Sequence, residues 1–209
     1  MDDCRSCSTG RTDHPDARAC AACVARGVCI GCGGRGAGCA MCGGAGAFAV
    51  RPPPAEVYVP RWVHSRMAIG PAPWCAEDVA AIGAYRVGLV VDCQEADLAR
   101  LWTGTGVVYQ QAGVPDAGQD LTDWMRRWAP VVLAHLEGDR EARALIHCAA
   151  GINRSASLAW CVLRARGVPV ADCERRFRTQ APRAWATGLR YRDDAERAAE
   201  GLRRARGGG

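Results

Sequence analysis

A cysteine and an arginine six positions apart, Cys148 and Arg154, enclose Ala149, Ala150, Gly151, Ile152 and Asn153, a loop of the right size to close around one phosphate. An ionised cysteine is a nucleophile, and arginine's planar fork grips two phosphate oxygens at once. The apolar run Ala144-Leu145-Ile146 before the loop predicts a short buried strand, and Ala156 to Leu163 after it continues at helical spacing. A strand-to-helix turn aims the unpaired N–H groups of the helix start at a bound anion and adds the positive end of the helix dipole. Those groups and Arg154 favour the ionised sulfur. Gly151 supplies backbone angles that other residues resist. The plainer reading of Cys148 is a buried structural thiol. It leaves the matched arginine, the flanking His147 and Ser155, and the strand and helix on either side without a reason.

Displacement at phosphorus needs a proton for the departing oxygen, so a carboxyl should face the loop from another part of the chain. Asp116, Asp120 and Asp123 are the candidates. Val107 to Gln111 reads as a strand running into a turn, where Pro115 favours an extended approach to Asp116. Asp120 and Asp123 also suit the first turn of a helix predicted over Leu121 to Glu137, since carboxylates there complement the dipole. Ser155 fits a helix cap as well as a partner for the sulfur. His147 is expected to orient the loop by hydrogen bonds to backbone groups, the alternative being a half-buried histidine with no kinetic role. Asn153, the one asparagine in the chain, is expected either to bond within the loop or to accommodate its backbone angles.

The segment from His147-Cys148 to Arg154-Ser155 resembles the signature of the cysteine-based protein tyrosine phosphatase superfamily, and of its dual-specificity branch in particular. Met67 to Gly70, Asp78 to Tyr85 and Gly88 to Cys93 are similar to that branch's opening strand, helix and second strand, so the likeness spans Val57 to Arg206. The resemblance implies hydrolysis of phosphotyrosine, phosphoserine or phosphothreonine in proteins through a phosphocysteine, without a metal. Cys148 attacks, and Asp116, at the family's distance before the cysteine, protonates the leaving oxygen and then activates water. Ser155 donates a hydrogen bond to the departing thiolate. Relatives that act on inositol phospholipids often carry lysines inside the loop, whereas this one has no cation besides Arg154. Some relatives shield the nucleophile with a second cysteine, and Cys93 ends a predicted strand on the same rim. Oxidation would join it to Cys148, although a buried core thiol is the simpler reading. Two other functions compete: sulfur transfer of the rhodanese kind, and a zinc-scaffolded protein that binds phosphorylated partners without turnover.

The second cysteine-bearing region is the N-terminal array Cys4-x-x-Cys7, Cys20-x-x-Cys23, Cys29-x-x-Cys32 and Cys39-x-x-Cys42. Its eight thiolates match the demand of two tetrahedral zinc ions, and the spacing suits zinc better than an iron–sulfur cluster. The segments from Cys29 and from Cys39 resemble the C-x-x-C-x-G-x-G repeats of the DnaJ-type chaperone zinc domain, while the first two pairs depart from that pattern. That module's nested pairing would join Cys4 and Cys7 to Cys39 and Cys42, leaving Cys20, Cys23, Cys29 and Cys32 for the second ion; sequential pairing stays open. With few large apolar residues before Phe48, metal binding is expected to supply most of the folding energy here.

The expected organisation is a cysteine-rich zinc-binding domain over 1–50, a stiff proline-rich linker over 51–56, and a phosphatase domain over 57–209. Short apolar strands alternate with amphipathic helices, such as the one carrying Trp124, Trp128, Val131, Val132 and His135, which predicts an α/β fold with a mostly parallel central sheet flanked by helices. The last helix is expected over Ala186 to Arg206. The net charge of +5 is moderate, all 27 basic residues are arginine, and no aromatic residues interleave a basic patch, which argues against nucleic-acid binding. Nothing resembles a secretory leader or is apolar for long enough to cross a membrane. Both cysteine chemistries need reduced sulfur, so a cytoplasmic location and a phosphorylated protein partner are expected, with a further protein partner for the zinc domain.

Overall fold

The chain is described from a computed structural model, over residues 58–73, 75–187 and 189–207. The expected zinc ligands Cys4, Cys7, Cys20, Cys23, Cys29, Cys32, Cys39 and Cys42, and the linker over 51–56, lie outside the described residues. Five short strands, β1 (Arg61–His64), β2 (Met67–Gly70), β3 (Leu89–Asp92), β4 (Val108–Gln111) and β5 (Ala144–His147), form one sheet in the order β1-β2-β5-β3-β4. β2, β5, β3 and β4 run parallel, and β1 joins the edge antiparallel to β2. The sheet is thus mixed and mostly parallel, and the antiparallel edge strand was not anticipated from the sequence.

The helices are α1 (Ala76–Ala84), α2 (Ala99–Trp102), α3 (Thr122–Gly138), α4 (Arg154–Ala165), α5 (Val170–Gln180), α6 (Pro182–Ala186) and α7 (Arg192–Gly207). Side chains alternate along the central strands, so both faces of the sheet are apolar. Met67, Ile69, Leu89, Val91, Ala144 and Ile146 face the larger core with α3, α4, α5 and α7. Ala68, Val90 and Leu145 face a smaller core with Val79 and Ile82 of α1 and Trp102 of α2. β5 lies at the centre of the sheet, hydrogen-bonded on both sides, which makes its C-terminal end a rigid place to mount a loop.

Every residue of α4 except Arg164 is buried, since the helix lies between the sheet and helices α3, α5 and α7. Trp160 is fully buried there and meets Phe177 with ring centroids 5.5 Å apart. Truncating a tryptophan in such a place to alanine costs about 3–5 kcal/mol. Gly167, at φ 82°, carries the turn that ends this helix. Two helices differ in detail from the periodicity reading. On α3 the fully buried stripe is Met125, Ala129, Val132, Leu133 and Leu136, while Trp124, Trp128 and Val131 are half-buried along its border. The aromatic residues had pulled the expected face sideways by about one position. The last helix, α7, begins at Arg192, six residues after the expected start at Ala186, which instead ends the short helix α6; Leu189, at φ 50°, lies in the turn between them.

Candidate active site

β5 ends at His147, and Cys148 begins the loop that leads into α4 at Arg154. No side chain caps the start of α4, so its first N–H groups are left to face the loop. Cys148 sits at the floor, only 2 % exposed, with Sγ 3.3 Å from Ser155 Oγ. Ser155 therefore meets the sulfur instead of capping the helix. Gly151 crosses over the strand ends at φ 66°, and a Cβ there would lie 2.3 Å from the Gly70 carbonyl carbon, so glycine is required on both counts. Arg61 on β1 braces the loop from behind, its Nη2 donating to Gly151 O at 2.9 Å and to Ala150 O at 3.4 Å. Ala72 N–H adds a bond to Ala149 O at 3.3 Å.

Arg154 is 7 % exposed, and one arm of its fork is already engaged. Nη1 donates to Val114 O at 2.8 Å and to Cys93 O at 3.2 Å. Nε is buried without a hydrogen-bond partner. An orphan donor of this kind is costly unless an acceptor comes to it, and an oxyanion seated in the loop would be one.

Among the three candidate carboxylates only Asp116 reaches the loop. Its Oδ2 accepts from Asn153 Nδ2 at 3.1 Å and lies 3.8 Å from Arg154 Nε. Its Oδ1 accepts from Tyr191 Oη at 2.7 Å and lies 3.8 Å from Arg190 Nη1. Asn153 thus reaches across to the opposite loop instead of bonding within its own. Asp120 turns back to the Thr122 N–H at 2.7 Å and pairs with Arg197 at 3.0 Å, and those bonds hold its carboxyl below the usual range. Asp123 points to solvent and pairs with Arg126.

The expectation for His147 needs correction. It is fully buried, not half-buried, and neither ring nitrogen has a hydrogen-bond partner, so it makes no bonds to the loop backbone. Its Nδ1 lies 3.5 Å from Oδ1 of Asp92, the residue beside it in the sheet. Burial pushes His147 down to about 3 and Asp92 up to about 7, so the two are not an ion pair at neutral pH. Cys93 is a buried free thiol, and burial pushes it well above the ordinary thiol range. Cys161 and Cys173 are likewise buried, raised to about 12 and about 11 by burial, as structural thiols are.

Four residues of this neighbourhood were not singled out from the sequence: Arg61, Asp92, Arg190 and Tyr191. Tyr191 Oη also accepts from Gly118 N–H at 3.1 Å, so one buried phenol ties the Asp116 loop at two points. Only Asp92 had a local signal, a charge closing the otherwise apolar run Leu89-Val90-Val91. Among the described residues no group of three or more His, Cys, Asp or Glu side chains is arranged to hold a metal ion, and no helix is long and apolar enough to cross a membrane.

Comparison with solved structures finds this architecture among cysteine phosphatases. Tk-PTP in its active form superposes with a TM-score of 0.56 at 19% identity, covering 68% of this chain and 96% of that one. PTPMT1 gives 0.56 at 13% identity over 72% of this chain and 100% of its own. Human DUSP28 gives 0.54 at 20% identity over 70% and 99%. No family model matches the sequence, and no curated protein matches it. At these identities the shared property is the fold, an α/β domain with a mixed central sheet flanked by helices.

Proposed function

We propose that this protein hydrolyses phosphate monoesters through a phosphocysteine intermediate. The observation that carries the reading is the division of labour on Arg154: Nη1 is fixed to two backbone carbonyls while Nε, buried and without a hydrogen bond, stands 3.8 Å from the Asp116 carboxyl. A tetrahedral oxyanion is the ligand that uses such an arginine together with a helix start. Cys148 Sγ attacks phosphorus and the ester bond breaks, Asp116 giving its proton to the departing oxygen. Asp116 then takes a proton from the water that attacks the phosphocysteine. The thiolate leaves, met by Ser155 Oγ, and free phosphate is released.

The substrate class that fits is a phosphorylated protein side chain, phosphotyrosine, phosphoserine or phosphothreonine, since the loop itself has no cation besides Arg154. The eight N-terminal cysteines are proposed to hold two structural zinc ions, a reading supported by their spacing alone. The deciding experiment offers the full-length protein an aryl phosphate and a set of phosphopeptides, with acid quenching to trap phosphate on Cys148. Turnover by the wild type with label recovered on Cys148, and none from Cys148→Ser, is expected. Thiosulfate turnover without phosphatase activity would overturn the reading. Metal analysis of the same sample is expected to return two zinc ions per chain, released by a chelator without direct loss of the chemical step.

A further inference from the structure

Asp92 closes β3 with a fully buried carboxyl that the proposed reaction does not use. Its surroundings count protons. Tyr109 Oη accepts from Leu98 N–H at 3.1 Å, and lies 2.8 Å from Asp92 Oδ2 and 2.5 Å from Gln111 Oε1. Gln111 is oriented by its Nε2, which donates to Gln94 O at 2.6 Å, so Oε1 is the atom that meets the phenol. A phenol has one proton, and here it faces two acceptors. With Asp92 as a carboxylate, one of the two short oxygen–oxygen approaches would contain no hydrogen. A proton on Asp92 Oδ2 resolves the conflict: Oδ2–H donates to Tyr109 Oη, which donates to Gln111 Oε1. Oδ1 keeps its bond from Gln94 N–H at 2.9 Å.

We propose that Asp92 is a positioning residue that works as a neutral carboxylic acid, its proton completing the Asp92–Tyr109–Gln111 chain along β3 and β4 beside the strand that leads to Cys148, and that its ionisation switches the site off. The proposal rests on the phosphatase reading above. The backbone at this strand end serves two groups of the site. Cys93 O holds Arg154 Nη1, and Asp92 is in register with His147, which precedes Cys148. An ionised Asp92 would place a negative charge behind a thiolate and a phosphate dianion, in a place with little water to screen it. The groups that face the carboxyl are Tyr109 from β4, His147 from β5, Arg154 from α4, and Cys93 and Gln94 just beyond β3, with Asp97 facing Tyr109 from the following loop. Arg154 is the one cation among them. Burial outweighs it and the hydrogen bonds to Gln94 and Tyr109, and raises the carboxyl to about 7.

Asparagine mimics the protonated acid, because its Nδ2 can donate to Tyr109 Oη while its oxygen accepts from Gln94 N–H. The test compares wild type with Asp92→Asn on p-nitrophenyl phosphate from pH 5.5 to 8.5. It reads the ratio of their kcat/KM values, in which titration common to both proteins cancels. The ratio of variant to wild type is expected near one at pH 5.5, rising to about tenfold at pH 8.5 as the wild-type carboxyl ionises. Denaturant unfolding of both proteins adds an arm that needs no turnover. A carboxyl whose folded value is raised from 3.8 to about 7 contributes stability that is complete below the lower value and lost by the upper one. The wild type should therefore lose stability relative to Asp92→Asn between pH 5.5 and 8.5. A ratio that stays constant with pH, a variant more than tenfold less active at pH 5.5, or one that does not fold would overturn the proposal, the last two because they would mean that the charge is needed. If neither protein turns over any phosphate ester, the phosphatase reading fails by itself. The unfolding arm still decides: a pH-independent difference refutes a neutral Asp92, and a declining one supports it.

Discussion

The Cys148 loop and the Asp116 loop meet through the bonds from Asn153 to Asp116 and from Arg154 to Val114, yet they are held by opposite means. The first is a contiguous run between the central strand of the sheet and its most buried helix, fixed by backbone geometry, a glycine at φ 66° and a brace from Arg61. The second is a surface loop whose carboxyl is held by side chains distant in sequence, Asn153 and Tyr191, with Arg190 nearby. A motif written in adjacent residues specifies its own geometry, whereas a group held by tertiary contacts depends on everything that places its partners. Changes in the first loop should therefore act on binding and chemistry together, and changes in the second should act mainly on proton transfer.

The sharpest break of this contrast is Arg154→Lys. A lysine cannot both hold the two carbonyls and fork onto phosphate, so kcat/KM is expected to fall about 10²–10³-fold with weaker oxyanion binding, measured by vanadate inhibition. Asp116→Ala should cost about 10²-fold on an ester with a poor leaving group and much less on p-nitrophenyl phosphate, with KM little changed. An equal loss on both esters would remove Asp116 from proton transfer. Tyr191→Phe deletes the hydroxyl that joins Asp116 to Gly118 N–H, and about a tenfold loss confined to the poor leaving group is expected. A merely structural role would lower both rates or neither. Asp120→Asn is expected to leave both rates unchanged, because that carboxylate is engaged with Thr122 and Arg197; a tenfold loss there would reassign the proton donor.

The contrast also explains what was legible beforehand. The strand, the loop and the helix from Ala144 to Leu163 follow from periodicity and one glycine, because each residue there acts on its neighbours in the chain. Asp116 could be narrowed to one of three carboxylates by the turn at Pro115, but the hydrogen bonds that set it apart come from residues 37 and 75 positions away. Tyr191 and Arg61 had no local signal, since neither lies in a motif and each acts only on one loop distant in sequence. His147 failed in the other direction. Its place beside Cys148 suggested bonds to the loop, but a residue at the end of a central strand points into the layer between sheet and helices, and there it meets Asp92. The buried stripe of α3 was displaced because tryptophans score as core while their size keeps part of each ring at the border.

The bond from Arg154 Nη1 to Val114 O makes the guanidinium a hinge pin between the two loops. Whatever moves Val114 outward frees the arm that keeps the fork flat against its pocket, so the lifetime of a bound oxyanion becomes a gauge of how the neighbouring loop is seated. Lengthening the segment between Ala112 and Asp116 by one residue would then quicken vanadate release without altering any atom that touches the ion.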